Sequence, residues 1–212
     1  MDSHFVYEIK DNLPKNICDA IIKKFESDKD NHVIGKLGGG DPSDTYVNKN
    51  WKDSTELNLK MSHWGKALGK LEFFLKRGMD EYMKEVYKYI GKQCGAEDND
   101  FAMHYSLGTN YITDICSIQR IKKDRHYRWH HDYMPEQPTR TLTFMWYLNT
   151  LEPDEGGNTG FIHGRRVRPE AGKLIIFPST WTCLHTGELI KADAKYLIVG
   201  GIHRPDELYK GE

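Results

Sequence analysis

Residues 140–149 read RTLTFMWYLN, a run of β-branched, aromatic and aliphatic residues. Other runs of similar composition follow one another along the second half of the chain. Similar runs bounded by proline and glycine predict short strands. The runs span residues 115–122, 140–149, 159–162, 173–177 and 195–202. Several short strands at regular spacing are typical of an antiparallel sandwich or barrel.

The first half of the chain has helical rather than β-type patterns. After a predicted short strand at residues 5–9, Pro14 and apolar residues at helical spacing predict a helix over 14–27. A longer helical stretch covers residues 62–94, and Gly78 marks an expected break within it.

Residues 28–50 interrupt both patterns, because GKLGGGDP at 35–42 does not support a packed element. A surface connection and a mobile lid over a site both remain open, and in a lid Asp41, Asp44 and Tyr46 are the candidate substrate contacts. We therefore predict a single α+β domain over residues 1–212. Residues 1–100 supply mainly helical support with the flexible loop, and residues 101–212 form the β core.

Composition excludes several classes of protein. The 30 Lys and Arg residues nearly balance the 31 Asp and Glu residues, and 12% of the chain is aromatic, which argues against a disordered chain. A net charge of -1 also argues against a nucleic-acid partner. No apolar run approaches the roughly 20 residues of a membrane helix, and the first residues lack the pattern of a secretory signal. Four widely spaced cysteines fit reduced thiols, so we expect a cytoplasmic location.

The segment YRWHHD at residues 127–132 contains a candidate metal site. On a strand, His130 and Asp132 share one face and His131 points away. Two histidines and one carboxylate leave open positions that suit non-haem iron(II), so a third ligand is needed.

Three later histidines, His163, His185 and His203, could supply that ligand. His185 is favoured because it follows a buried-looking strand and a turn, and precedes another strand by ten residues. Two alternatives stay open here: histidines that are only hydrogen-bonded, and a zinc site on His126 and His130, which are spaced as on a helix.

The motifs in their order along the chain resemble those of the iron(II)- and 2-oxoglutarate-dependent dioxygenases, in the prolyl 4-hydroxylase-like branch. The resemblance covers about residues 119–204 and rests on YRWHHD, RTLTFMWYLN, EGGNTGF, VRPEAGKLIIFPS and LHTGELIKADAKYLIVGGIHR. It implies a double-stranded β-helix, or jelly-roll, with supporting N-terminal helices. It also implies that His130, Asp132 and His185 bind the iron.

Four further residues acquire expected roles from the resemblance. Lys195 corresponds to the basic residue that pairs with the far carboxylate of 2-oxoglutarate, and Tyr147 to a tyrosine that donates to the same group. Thr143 shares the strand face of Tyr147 and is a further candidate. Tyr127 is expected to contact the cosubstrate or to orient the site.

The function that the resemblance implies is hydroxylation of peptidyl proline in a protein or peptide, with no membrane and no nucleic-acid partner. The cofactors would be Fe(II), 2-oxoglutarate and dioxygen, with ascorbate as a further candidate. A hydroxylase of a free amino acid or other small molecule, and a non-catalytic metal-binding jelly-roll, are the alternatives. The stretch QRIKKD at 119–124 lacks a tyrosine that the family often has there, so the pocket wall is expected to differ.

Two further groups of residues have open roles. Arg165, Arg166 and Arg168 are expected on a hairpin near the mouth of the site, either bound to substrate or solvated. Trp129 and Trp181 are expected in the core or in the pocket wall, with Trp181 favoured as wall.

Overall fold

The computed structural model describes residues 4–37, 45–95, 111–135 and 137–205. Its two α-helices are α1 (Lys15–Ser27) and α2 (Gly65–Cys94). Its strands, in chain order, are β1 (Tyr7–Ile9), β2 (Val33–Ile34), β3 (Thr55–Asn58), β4 (Ile112–Lys122), β5 (Tyr127–His130), β6 (Arg140–Tyr147), β7 (Thr159–Phe161), β8 (Arg166–Val167), β9 (Leu174–Pro178), β10 (His185–Gly187) and β11 (Ala194–His203).

The strands form two antiparallel sheets. The larger sheet has seven strands in the order β1-β9-β6-β11-β4-β3-β2, and the smaller has four in the order β5-β10-β7-β8. Neighbours in the sheets are often far apart in sequence, as expected when strands cross between two sheets. The predicted α+β fold with a jelly-roll core is confirmed.

Alternating side chains of the larger sheet build two separate hydrophobic cores. On β6, Phe144 and Trp146 pack in the core that includes the helices. Met145 and Tyr147, on the opposite face, pack in the core that includes residues of the smaller sheet. This two-residue period follows from strand geometry, and it fixes which side chains of β6 can face a cavity between the sheets.

Helix α2 is continuous through Gly78, so the predicted break there is wrong. A Cβ atom at this position would lie 2.3 Å from Cδ2 of Leu174, so glycine permits close packing of the helix on the sheet. In the described part of the chain, no helix combines the length and the apolar character that a membrane span needs.

The first half of the chain contributes strands as well as helices. Strand β1 extends one edge of the larger sheet, and β3 and β2 extend the other. Strand β3, with sequence TELN, is absent from the predicted elements, because four residues with little apolar alternation give no strand signal. Within the predicted loop 28–50, strand β2 pairs with β3.

Candidate metal and cosubstrate site

The pairing of β5 with β10 brings two distant histidines together. His130 ends β5 and His185 begins β10, and the two residues are direct partners in the ladder. Asp132 follows two residues after β5, and its backbone N–H donates to the carbonyl oxygen of Ser179. One potential ligand atom from each of His130, Asp132 and His185 lies within 4.8 Å of the others. This set has the donors of a two-histidine, one-carboxylate iron site.

Hydrogen bonds orient both imidazoles. The Nδ1 atom of His130 lies 2.7 Å from the carbonyl oxygen of Arg128, and Nδ1 of His185 lies 3.1 Å from that of Cys183. Because a carbonyl accepts a hydrogen bond, each Nδ1 carries the proton and each Nε2 keeps its lone pair. Both Nε2 atoms lie 3.7 Å from a carboxylate oxygen of Asp132, so the lone pairs and the carboxylate face a common point.

The ionisation states also suit a cation. Burial lowers the pKa of His130 to about 3, and the neighbouring His185 lowers it further in the same direction. Burial alone would raise the pKa of Asp132, but His185, Arg140 and His130 together with a hydrogen bond from Thr143 hold it well below its ordinary value. At neutral pH the site therefore offers a neutral imidazole and an ionised carboxylate, the forms that bind metal.

A cavity of about 210 Å³ opens beside these three residues. Its walls combine apolar side chains with buried polar and charged groups. It is lined by Lys36, Leu37, Lys52, Ser117, Gln119, Ile121, Tyr127, His130, Asp132, Met134, Arg140, Met145, Thr159, His185, Gly187, Lys195, Leu197 and Val199.

Lys195 is a buried cation in this cavity. It is 2% exposed, and its Nζ donates to the carbonyl oxygen of Gly157 at 2.8 Å. Burial lowers the pKa of Lys195 to about 8, with Glu188 acting in the opposite direction. A buried ammonium with a neutral acceptor is a suitable partner for a carboxylate that enters the cavity.

Tyr147 and Tyr127 lie on different sides of the site. The buried Tyr147 hydroxyl donates to Oγ1 of Thr159 at 2.6 Å, and its ring centroid lies 5.9 Å from Nζ of Lys195. Tyr127 stacks on His130 with ring centroids 3.6 Å apart. Burial and the nearby carboxylates raise the pKa of the Tyr127 hydroxyl, which therefore stays protonated at neutral pH.

Thr143 lies beside the candidate metal ligands instead of beside Lys195. Its hydroxyl donates to Oδ2 of Asp132 at 2.7 Å and lies 3.0 Å from Oγ of Ser179. These contacts orient Asp132, and the expected contact of Thr143 with the far carboxylate of the cosubstrate stays a prediction.

Two buried charged residues border the cavity without having been assigned a role from the sequence. Arg140 is buried, and its Nη2 lies 3.7 Å from Oδ2 of Asp132. Lys52 is also buried and pairs with Glu56 at 2.6 Å. Arg140 is the first residue of the motif RTLTFMWYLN, so its place near the site could have been predicted from the sequence. Lys52 belongs to no motif, and its place at the cavity depends on tertiary contacts.

The predicted loop 28–50 reaches the cavity through Lys36 and Leu37. Leu37 pairs with Tyr46 as an isolated bridge, and the Tyr46 side chain is exposed. Asp41 and Asp44 lie outside the described residues. The segment therefore borders the site, and its role as a lid stays a prediction.

The three hairpin arginines are engaged in contacts within the protein. Arg165 donates to the carbonyl oxygen of Val6 and to Glu8, Arg166 pairs with Glu188, and Arg168 donates to the carbonyl oxygen of Leu151 and to Glu170. They were expected to be substrate-bound or solvated. Arg166 is exposed to solvent, with a 72% accessible side chain, whereas Arg165 and Arg168 are partly buried in contacts within the protein.

Neither tryptophan of uncertain role is in the core or lines the cavity. Trp129 is 47% exposed and Trp181 is 72% exposed, so the expectation of core or pocket wall is wrong for both. Both nevertheless adjoin the site in sequence, Trp129 directly before His130 and Trp181 four residues before His185.

The remaining histidines have other surroundings. Among the described residues, the group of possible metal ligands does not include His126, and no helix joins it to His130. His163 stacks on His4, and Nδ1 of His203 lies 3.1 Å from Oγ1 of Thr139.

The part of the cavity wall formed by β4 contains no tyrosine, as expected, since Ser117, Gln119 and Ile121 of this strand line the cavity.

Comparison with known proteins agrees with this geometry. Residues 116–203 match the family model of the 2OG-Fe(II) oxygenase superfamily. No curated protein matches the sequence.

Three solved structures illustrate the similarity of fold. A viral collagen prolyl hydroxylase from Paramecium Bursaria Chlorella virus-1, in complex with 2-oxoglutarate, aligns with a TM-score of 0.64 and 16% identity over 96% of this chain and 98% of its own. A Trichoplax adhaerens prolyl hydroxylase, solved with a peptide of a hypoxia inducible factor, aligns with a TM-score of 0.69 and 16% identity over 99% and 89%. A Pseudomonas putida prolyl-4-hydroxylase aligns with a TM-score of 0.58 and 15% identity over 96% and 94%.

The superfamily takes its name from Fe(II) and 2-oxoglutarate, and the donors described above fit both groups. Two imidazoles and an ionised carboxylate suit the metal, while the buried ammonium of Lys195 suits the cosubstrate. The resemblance to the 2-oxoglutarate- and iron(II)-dependent dioxygenases is thus confirmed by the match over residues 116–203 and by the fold.

Proposed function

We propose that this protein is an iron(II)- and 2-oxoglutarate-dependent dioxygenase that hydroxylates a prolyl residue in a protein or peptide. The observation that carries the proposal is the meeting of His130, Asp132 and His185 at the edge of a cavity that also contains the buried ammonium of Lys195. Iron, 2-oxoglutarate and dioxygen would supply the oxidising power for attack on an unactivated C–H bond, with release of succinate and carbon dioxide.

The side chains of the protein bind and orient these reactants. His130, Asp132 and His185 would hold the iron and leave its other positions open. Lys195 would hold the far carboxylate of 2-oxoglutarate, with Tyr147 and Thr159 as nearby hydroxyls. In the related halogenases a halide replaces the carboxylate ligand, so the presence of Asp132 favours hydroxylation.

Other residues would protect the reaction from water and keep the ligands in position. Met145, Leu197 and Val199 form an apolar part of the cavity wall, which limits the entry of water. Thr143 and Arg140 hold Asp132 ionised and correctly oriented.

Exposed aromatic side chains near the cavity favour a polypeptide substrate. Trp51, Trp129 and Trp181 are each more than one-third exposed, and each is within four residues of a cavity-lining residue in sequence. Tryptophan is enriched in the binding surfaces of proteins because it buries a large area at a low cost in conformational entropy. The Trichoplax prolyl hydroxylase named above was solved with a peptide, which supports the same class of substrate for this chain.

The test combines cosubstrate turnover with product mass. Purified protein is supplied with Fe(II), 2-oxoglutarate, ascorbate and proline-containing peptides, and succinate and peptide mass are measured. We expect succinate formation and the gain of one oxygen atom on proline. His130→Ala is expected to abolish both, and Lys76→Ala, at an exposed position of α2, serves as the control.

Two other results would redirect the proposal. A gain of oxygen on a free amino acid, and none on peptides, would show the small-molecule hydroxylase instead. Absence of succinate under all these conditions would contradict the oxygenase activity itself.

A further inference from the structure

The charged residues that line the cavity are mostly cationic. Among the described residues they are Lys36, Lys52, Arg140 and Lys195, against the single carboxylate of Asp132. The apolar wall between them lowers the local dielectric constant, so an imbalance of charge acts more strongly on an incoming group than it would in water.

Bound iron and cosubstrate would not remove this imbalance. Fe(II) brings two positive charges and 2-oxoglutarate brings two negative ones, so the loaded cavity keeps the charge of the protein. Even with Glu56 included as the partner of Lys52, the cations exceed the carboxylates by two.

The individual pairings show where the surplus lies. Lys195 is matched by the far carboxylate of the cosubstrate, and Lys52 is matched by Glu56 at 2.6 Å. Arg140 lies 3.7 Å from Asp132, a carboxylate that must also serve the metal, and its Nη2 donates to Oγ1 of Thr143 and to the carbonyl oxygen of Gly200. Lys36 is exposed, lines the cavity, and makes no ion pair with any residue in the described ranges.

Lys36 and Lys52 belong to the segment between α1 and α2, and both border the same cavity as the metal ligands. The Nζ atom of Lys52 lies 5.1 Å from the ring centroid of Tyr127, and that ring stacks on His130. The Lys52 ammonium therefore lies near a ring that stacks on a candidate metal ligand, so its charge acts close to the candidate metal site.

We propose that the substrate is an acidic peptide, with an aspartate or glutamate beside the residue that is oxidised, and that Lys36 is the residue that binds this carboxylate. The positive charge of Lys52 attracts the peptide carboxylate without binding it directly, because Lys52 already forms an ion pair with Glu56. This inference rests on the proposed function, since it names the kind of peptide that the site accepts. It follows from the charge surplus, because an acidic side chain of the peptide would give Lys36 the ion-pair partner that no described residue provides.

The test measures peptide binding, which does not require turnover. Three fluorescent peptides of equal length carry Pro flanked by Glu, Gln or Lys, and their dissociation constants are measured by anisotropy with protein loaded with Zn(II) and 2-oxoglutarate. We expect the Glu peptide to bind about two- to fivefold more tightly than the Gln peptide, as for an exposed ion pair, and the Lys peptide to bind most weakly. The preference should shrink as ionic strength rises, because salt screens exposed charges.

Charge reversal identifies the residue. Lys36→Glu should remove the preference for the Glu peptide and favour the Lys peptide, whereas Lys36→Arg should retain it. Lys76→Glu is the matched control, because it makes the same change in net charge at an exposed position of α2. Lys52→Met is paired with Glu56→Gln, since removal of the lysine alone would leave a buried carboxylate without its partner.

The outcomes separate this inference from the proposed function. Equal affinity for the Glu and Gln peptides, or binding of none, would overturn the acidic-peptide inference even if 2-oxoglutarate is converted to succinate. Loss of preference in Lys76→Glu to the same extent as in Lys36→Glu would also overturn it, because the effect would then come from net charge. Absence of succinate with a clear preference for the Glu peptide would contradict the oxygenase activity and leave the binding inference standing.

Discussion

Asp132 is held in its ionised form by contacts from several sides. Thr143 donates to it at 2.7 Å, and Arg140 and His185 each lie 3.7 Å from the same carboxylate oxygen. His130 and Asp132 could be predicted from their local spacing on a strand, whereas three histidines were candidates for the third ligand and the family resemblance implied His185. The role of Lys52 could not be predicted, because its place near Tyr127 depends on contacts between distant parts of the chain.

Replacement of Lys195 by methionine tests the cosubstrate position. The side chain keeps a similar length but loses the charge, so the carboxylate of 2-oxoglutarate would be buried without a partner. We expect the Kd for 2-oxoglutarate to rise by about 100-fold or more, with little change in stability. The exposed Lys191→Met is the control, and calorimetric titration with Zn(II)-loaded protein is the measurement. An unchanged Kd would contradict the assignment of Lys195.

The pH dependence of cosubstrate binding follows from the same residue. Burial lowers the pKa of Lys195 to about 8, so the free protein loses this positive charge as the pH rises through that value. Above it, binding must be accompanied by uptake of a proton. We expect the Kd for 2-oxoglutarate to be constant below about pH 7 and to rise toward about tenfold per pH unit above pH 8. A Kd that stays constant to about pH 9.5 would rule out an uncharged Lys195 in the free protein.

At the scale of elements, the pairing of β5 with β10 creates the site. The register places His185 opposite His130 and Gly187 opposite Tyr127, so one strand has an extra residue between the two pairs. Such a bulge bends the strand locally. Two side chains that would point to opposite faces of a regular strand can then point to the same face. It explains why Tyr127 and His130 stack although they are three residues apart. No local sequence pattern predicts this bulge, because it arises from the pairing of the two strands.

Two glycines of α2 provide a matched test of helix packing. Gly69 has no atom within 4 Å of a built Cβ, whereas a Cβ at Gly78 would lie 2.3 Å from Leu174. We expect Gly69→Ala to stabilise the protein by about 0.5–1 kcal/mol through helix propensity. We expect Gly78→Val to destabilise it by about 1–3 kcal/mol through overpacking. Urea unfolding measures both, and equal effects at the two positions would contradict the close contact of α2 with β9.

At the scale of the whole molecule, ion pairs connect the first 30 residues of the chain with the β core. Glu8 on β1 pairs with Arg165 at 2.8 Å and with the buried Lys173 at 3.0 Å. Arg120 on β4 forms a 2.8 Å ion pair with Glu26 on α1. The two-layer β core was predictable because its strands carry strong apolar patterns. The edge strands β2 and β3 were not, because their place depends on pairing across the molecule.

Glu8→Gln tests this long-range connection. Burial raises the pKa of Glu8, but Arg165 and Lys173 outweigh it and the pKa is lowered below its ordinary value. The carboxylate therefore contributes stability above the unfolded pKa of about 4.5, and that stability is lost as the pH falls through the lower folded value.

The expected result is a loss of about 1–3 kcal/mol at pH 7, which becomes smaller toward about pH 3. Urea unfolding at both pH values is the measurement, with the exposed Glu72→Gln as the control. A loss that is the same at both pH values would show that the effect does not come from the charge of Glu8.

The most direct test of the metal and cosubstrate site is a crystal structure of the protein with Zn(II) and 2-oxoglutarate, in which the metal stands in for Fe(II). We predict that the metal is bound by Nε2 of His130, Nε2 of His185 and a carboxylate oxygen of Asp132. We also predict that the far carboxylate of 2-oxoglutarate contacts Nζ of Lys195. A metal bound elsewhere, or one that lacks His185 as a ligand, would contradict it.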